Sequence, residues 1–102
     1  MIVWSKPARE DLRLIHQYIA NDSKRYATRV IQDIAGKVED LLKLPHLGRA
    51  VPEIGEDNVR EISMYSYRII YEVTGVNIYI HGVFINDGIF SPKITAITLP
   101  RF

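Results

Sequence analysis

The sequence predicts an α+β fold: a short N-terminal strand and an antiparallel helix hairpin packed on a twisted, mainly antiparallel sheet. Three observations predict it. Apolar residues recur at helical spacing up to Pro45. Beyond the following loop the chain switches to short runs rich in β-branched and aromatic residues. Turn residues separate those runs closely enough for strands to pair as neighbours.

The run "IVWS" at residues 2–5 reads as a strand. Ser5 is placed to cap a helix, and Pro7 falls in its first turn, where a missing N–H is harmless. Ala8, Leu12, Ile15 and Ile19 form its apolar stripe. "NDS" at residues 21–23 breaks the pattern, and Asp22 or Ser23 caps a second helix with the stripe Ala27, Ile31, Ile34, Val38 and Leu41 or Leu42. Gly36 weakens its middle by about 1 kcal/mol relative to Ala, and Pro45 stops it. "PHLGRAVPEIGEDN" reads as a loop. "VREIS", "YSYRIIYEV" and "NIYIHGVFI" read as strands, with a hairpin turn at Gly75. "NDG" at residues 86–88 is a further turn, and "ITAITL" alternates like a strand able to pair with a partner.

A length of 102 residues with 47% hydrophobic and 25% charged residues fits one small globular domain spanning 1–102, and excludes disordered and collagen-like classes. A formal net charge of +1 does not by itself mark a nucleic-acid binder. The absence of cysteine excludes disulfides, cysteine-based zinc sites and thiol catalysis. No apolar run approaches a membrane span, and "MIVWSKPARED" lacks the apolar region of a signal peptide, so a cytoplasmic chain with no membrane partner is expected. No histidine pair has metal or hydrolase spacing and no glycine-rich phosphate loop is present, so neither a metal nor another cofactor is expected.

The chemistry-bearing residues lie in the second half. Alternation puts Tyr65, Tyr67, Ile69, Tyr71 and Val73 on one face of their strand, and Ser66, Arg68, Ile70 and Glu72 on the other. Arg68 then reads as a sheet-surface cation pairing with Glu72 or with a cross-strand neighbour. "GRAVPE" adds Gly48, Arg49 and Glu53, and "VREIS" adds Arg60 and Glu61 on opposite faces. A carboxylate with arginines suits RNA cleavage, the carboxylate taking a 2′-OH proton and arginine stabilising charge on phosphate. On that chemistry Glu53, Arg68 and His81 are the catalytic candidates, while Arg49, Arg60, Arg68 and Tyr71 are the binding candidates. His16, His46 and His81 each read first as structural residues, with His81 expected on the face of Tyr79, Val83 and Ile85. Lys24, Arg25, Arg29, Lys37 and Lys43, set against Asp33, Glu39 and Asp40, form either a solvated mixed-charge surface or a patch for an acidic partner.

"KPAREDLRLIHQYIA", "LPHLGRAVPE", "VREI" and "YRIIYEV", in this order and spacing, resemble the RelE/ParE superfamily of bacterial type II toxins over about residues 1–85. "LGRAVPE…VREI…YRIIY" leans toward ParE and the plasmid-stabilisation branch. The resemblance implies a cognate antitoxin that wraps and neutralises the toxin. It implies inhibition of DNA gyrase for ParE-type members and cleavage of mRNA on the ribosome for RelE-type members. Glu53 matches the carboxylate that serves as base in nuclease members, and Arg68 matches the arginine that contacts the scissile phosphate there. Nuclease members carry a basic or His/Tyr motif at the end of the following strand, where this chain reads "VFINDG". The tail 86–102 also departs from the family pattern. The expectation is therefore a non-enzymatic, gyrase-inhibiting toxin. The alternatives are a ribosome-dependent mRNA endonuclease and an inert homologue that only binds antitoxin. Arg68 is expected to be inherited scaffold, its loss costing about 0–1 kcal/mol.

Overall fold

The structure, a computed structural model, describes residues 1–85. The turn expected at 86–88 and the strand expected in "ITAITL" lie outside the described residues. Strand β1 (Ile2–Trp4) leads into helices α1 (Lys6–Ala20) and α2 (Lys24–Glu39), a 3-10 turn (Asp40–Leu42), and strands β2 (Arg49–Ala50), β3 (Val59–Met64), β4 (Tyr67–Thr74) and β5 (Asn77–Ile85). The sheet order is β1-β5-β4-β3-β2, antiparallel throughout except where β1 runs parallel to β5.

The helices begin as their caps dictate. The Ser5 hydroxyl accepts from the Ala8 N–H at 3.1 Å, and Ser23, not Asp22, accepts from Tyr26 at the same distance. Ala27, Val30, Ile34, Val38 and Leu41 are buried on the second helix and its 3-10 extension, so Val30 takes the central place expected for Ile31, and Leu42 is exposed. The α-helix ends at Glu39, ahead of Pro45, because the chain tightens into the 3-10 turn. Both helices cover one face of the sheet, burying Ile62, Ile69, Tyr71, Ile78, Ile80 and Val83.

Two local departures from the expected pattern matter for the site. Tyr65 does not begin a strand. It sits in the β3–β4 turn at φ 56°, a left-handed conformation unusual for an aromatic residue. Its ring meets Tyr26 edge-on at 6.5 Å, and its hydroxyl bonds Asp33 on α2. Tertiary contacts hold a turn here that the local sequence, without Gly or Asn, does not announce.

The second departure is a bulge. Ile70 lies opposite Gly82 but Tyr71 lies opposite Ile80, so His81 is an extra residue on β5. Beyond it the faces exchange. Val83 and Ile85 stand opposite Ile69 and Tyr67 on the helix side, away from His81, contrary to strict alternation. Beyond β1, α1 satisfies the bulged edge. Ser5 donates to the His81 carbonyl at 3.2 Å, and Asp11 accepts from the Val83 N–H at 3.0 Å.

Candidate functional site

The sheet face away from the helices carries a second, smaller apolar cluster of Val51, Val59, Ile70 and Phe84, with Ile54 packed on it. The segment between β2 and β3 therefore crosses this face and brings Glu53 with it. The β3–β4 register sets Ser63 opposite Arg68 and Glu61 opposite Ile70, so Glu61 and Arg68 are diagonal neighbours on one face.

Glu53, Arg68, Glu61 and Arg49 form a continuous charged chain. Arg68 donates to Glu53 through Nη1 at 2.9 Å and Nη2 at 3.1 Å, the two-pronged geometry that suits guanidinium and carboxylate. Its Nε and Nη2 also meet Glu61. The other Glu61 oxygen accepts from Arg49 Nε at 2.7 Å. Arg68 is 8% exposed and Glu61 4%, whereas the Arg49 side chain is 75% exposed. The chain thus runs from the interior outward.

Of the two pairings expected for Arg68, the one with a cross-strand neighbour occurs, with Glu61, and the one with Glu72 does not. Four residues along a strand span about 13 Å, whereas a cross-strand diagonal spans about 7–8 Å, so the sheet selects Glu61 over Glu72. Glu72 instead meets His81 Nε2 at 2.9 Å, with both side chains buried, and accepts from Asn58 at 3.4 Å. His81 is therefore held by Glu72, and the structure does not bring it to the Glu53–Arg68 pair. The picture of Arg68 as a surface cation is likewise overturned, because the Glu53 segment covers it.

Arg60 and Tyr71 act on the other side of β3. Arg60 Nη1 donates to the Gly48 carbonyl at 2.8 Å, and its Nε and Nη2 hold Asp57 at 3.0 and 2.9 Å. Tyr71 is fully buried. Its hydroxyl donates to the Pro45 carbonyl at 2.8 Å and accepts from the Gly48 N–H at 3.0 Å. A Cβ at Gly48 would lie 2.2 Å from the Glu61 carbonyl oxygen, so only glycine lets this loop approach β3. Tyr71 positions the loop that delivers Arg49 and offers no binding surface of its own.

The electrostatics follow from these contacts. The Arg68 hydrogen bonds hold the Glu53 carboxyl below the usual carboxylate range, against an opposing push from burial. The bonds that Arg68 donates to Glu53 push the pKa of its guanidinium up, against desolvation and with help from Glu61. A carboxylate stabilised in its charged form is a weak proton acceptor, and a guanidinium saturated by carboxylates has little left for phosphate. The arrangement is suited to holding a segment against the sheet. Glu61, the hub of the network, is the residue that sequence reasoning did not place among the site candidates. Its shared face with Arg68 follows only from the β3–β4 register, which depends on the turn at Tyr65 and Ser66.

Among the described residues no cluster of three or more His, Cys, Asp or Glu side chains is arranged to hold a metal ion. No helix among them is long and apolar enough to cross a membrane.

A family model described as "ParE toxin of type II toxin-antitoxin system, parDE" matches residues 2–85. Among solved structures, a chain from "Chromosomal ParDE TA system from P. aeruginosa" is similar in fold, with a TM-score of 0.67 and 23% identity over 82% of this chain and 92% of that chain. No curated protein matches the sequence.

Proposed function

The chain belongs to the ParE toxin family of type II toxin-antitoxin systems, and from that premise we propose that it is a non-nuclease toxin that blocks DNA gyrase in the cytoplasm and is neutralised by a cognate ParD-type antitoxin. One observation carries the non-nuclease part. Glu53 and Arg68, which match the base and the phosphate ligand of nuclease members, are bonded to each other and, through Arg68, to Glu61. General acid–base groups contribute about 10²–10⁴ in rate when poised near the working pH, and Glu53 is shifted the wrong way. The third candidate, His81, is buried against Glu72. The similarity to a chain from a solved ParDE system supports the choice of a ParD-type partner.

Expression without antitoxin, followed by pulse labelling, tests the target. DNA synthesis should fall first while amino-acid incorporation holds, and the purified toxin should inhibit gyrase supercoiling. An early collapse of translation, with mRNA cut on ribosomes, would replace this reading with the endonuclease. Normal growth alongside intact antitoxin binding would identify an inert homologue.

A further inference from the structure

Among the described residues the outer edge of β3 is only partly covered. Strand β2 pairs with Glu61 and Arg60 and no further, because the chain at Gly48 and Leu47 turns away. The Val59 carbonyl accepts from the Val51 N–H at 3.1 Å, so residues 59, 61 and 63 point their backbone groups toward β2. Among the described residues no strand remains at Ser63 to receive them. The Ser63 N–H therefore faces the notch left by the departing loop.

That notch is a cavity of about 280 Å³ lined by Lys37, Gly48, Arg49, Glu61 and Ser63, among others. Its polar groups are mostly donors. Arg49 bonds Glu61 through Nε, which leaves both Nη groups without a partner among the described residues. Lys37, from the basic surface of α2, has none either, and the Ser63 hydroxyl adds a rotatable donor. The Glu61 carboxylate in the wall does not repel an anion strongly, because Arg68 and Arg49 both hold it. The notch is lined by two cations, Lys37 and Arg49, and one carboxylate, Glu61, so one positive charge is unmatched.

We propose that this notch is a phosphate-binding subsite in which Lys37, the free Arg49 Nη groups, the Ser63 N–H and the Ser63 hydroxyl surround one phosphate group, carried by a nucleotide or by a polynucleotide backbone. An ammonium, a guanidinium edge, a backbone amide and a hydroxyl approach from different directions, which suits a tetrahedral oxyanion better than a planar carboxylate that one arginine fork can satisfy. The volume lies just below the usual range for whole small-molecule sites and fits a single charged group. The subsite binds and does not cleave, and it does not depend on which cellular target the toxin has.

Amide chemical-shift titration of the full-length toxin tests this, with inorganic phosphate, dAMP, a short single-stranded oligodeoxynucleotide, acetate and a glutamate-rich peptide as probes. Phosphate and at least one phosphate-bearing probe should shift the Ser63 amide saturably. Lys37→Gln should weaken that binding by about tenfold or more, and Ser63→Ala should weaken it less, with the amides around Arg68 unmoved in both variants. Tighter binding of dAMP identifies a nucleotide. Tighter binding of the oligonucleotide, with a steep salt dependence, identifies a polynucleotide backbone. Acetate or the acidic peptide binding as well as the phosphate probes would overturn the phosphate assignment. So would an unsaturable response, or a response that Lys37→Gln leaves unchanged.

Discussion

Arg68 on β4 grips Glu53 with two N–H donors, at 2.9 and 3.1 Å, across the face of the sheet that the helices do not cover. The contact ties the segment between β2 and β3 to the central strands, and Glu61 completes it from the neighbouring strand. Removing Arg68 would leave two carboxylates together in a shielded place. Arg68→Ala is therefore expected to destabilise the protein by about 3–5 kcal/mol, well above the 0–1 kcal/mol suited to a surface cation. Urea denaturation measures this, and a loss below about 1 kcal/mol would mean that the network is solvated.

The same contact sets an acid limit. The Glu53 carboxyl titrates lower in the folded chain than its ordinary value of 4.5, so the folded state binds this proton more weakly than the unfolded state. The Glu53 contribution is complete above the unfolded value and disappears as pH falls through the lower folded value. Stability measured downward from pH 5 should fall, and Glu53→Gln should remove part of that slope. An unchanged slope in Glu53→Gln would assign the acid sensitivity to other groups.

Gly48 and Tyr71 form a single device that holds the loop against β3. Gly48→Ala places a methyl group 2.2 Å from backbone oxygen, which a flexible side chain cannot relieve. It should detach β2 and expose the Arg49–Glu61 bond, seen as faster amide exchange at Arg49 and Ala50. Tyr71→Phe removes two hydrogen bonds and leaves the Pro45 carbonyl and the Gly48 N–H without that partner, at a cost of about 1–3 kcal/mol.

Gly36 offers a change in the opposite direction. It lies in α2, is exposed, and a Cβ there would meet nothing within 4 Å. Gly36→Ala should raise stability by about 0.5–1 kcal/mol, because alanine restricts the unfolded chain and favours the helix. Thermal denaturation reads it directly. A neutral or negative result would show that glycine has a role in α2 beyond the described contacts.

Residue order alone determined the α+β class, both helices with the Ser5 cap and a second cap narrowed to Asp22 or Ser23, the Gly75 hairpin and the three long strands. Each follows from local physics: a period of 3.6 or 2 in apolar residues, a hydroxyl able to cap, a residue able to take positive φ. The face of β4 that carries Arg68 was also legible, since alternation is a local rule. A cross-strand partner for Arg68 was one of two expected, but its identity as Glu61 was not legible. It depends on which residue stands across the ladder, and that register passes through Tyr65, held in a strained turn by Asp33 and Tyr26 far away in the chain. The surroundings of His81 were hidden for a similar reason, because one bulged residue exchanges the faces of everything after it on β5. Tertiary structure alone decided that Glu53 lies over Arg68 and that Glu61 joins them. Charges separated along one strand cannot meet, whereas pairing and loop crossing bring distant residues within bonding range at a burial that makes the contact strong.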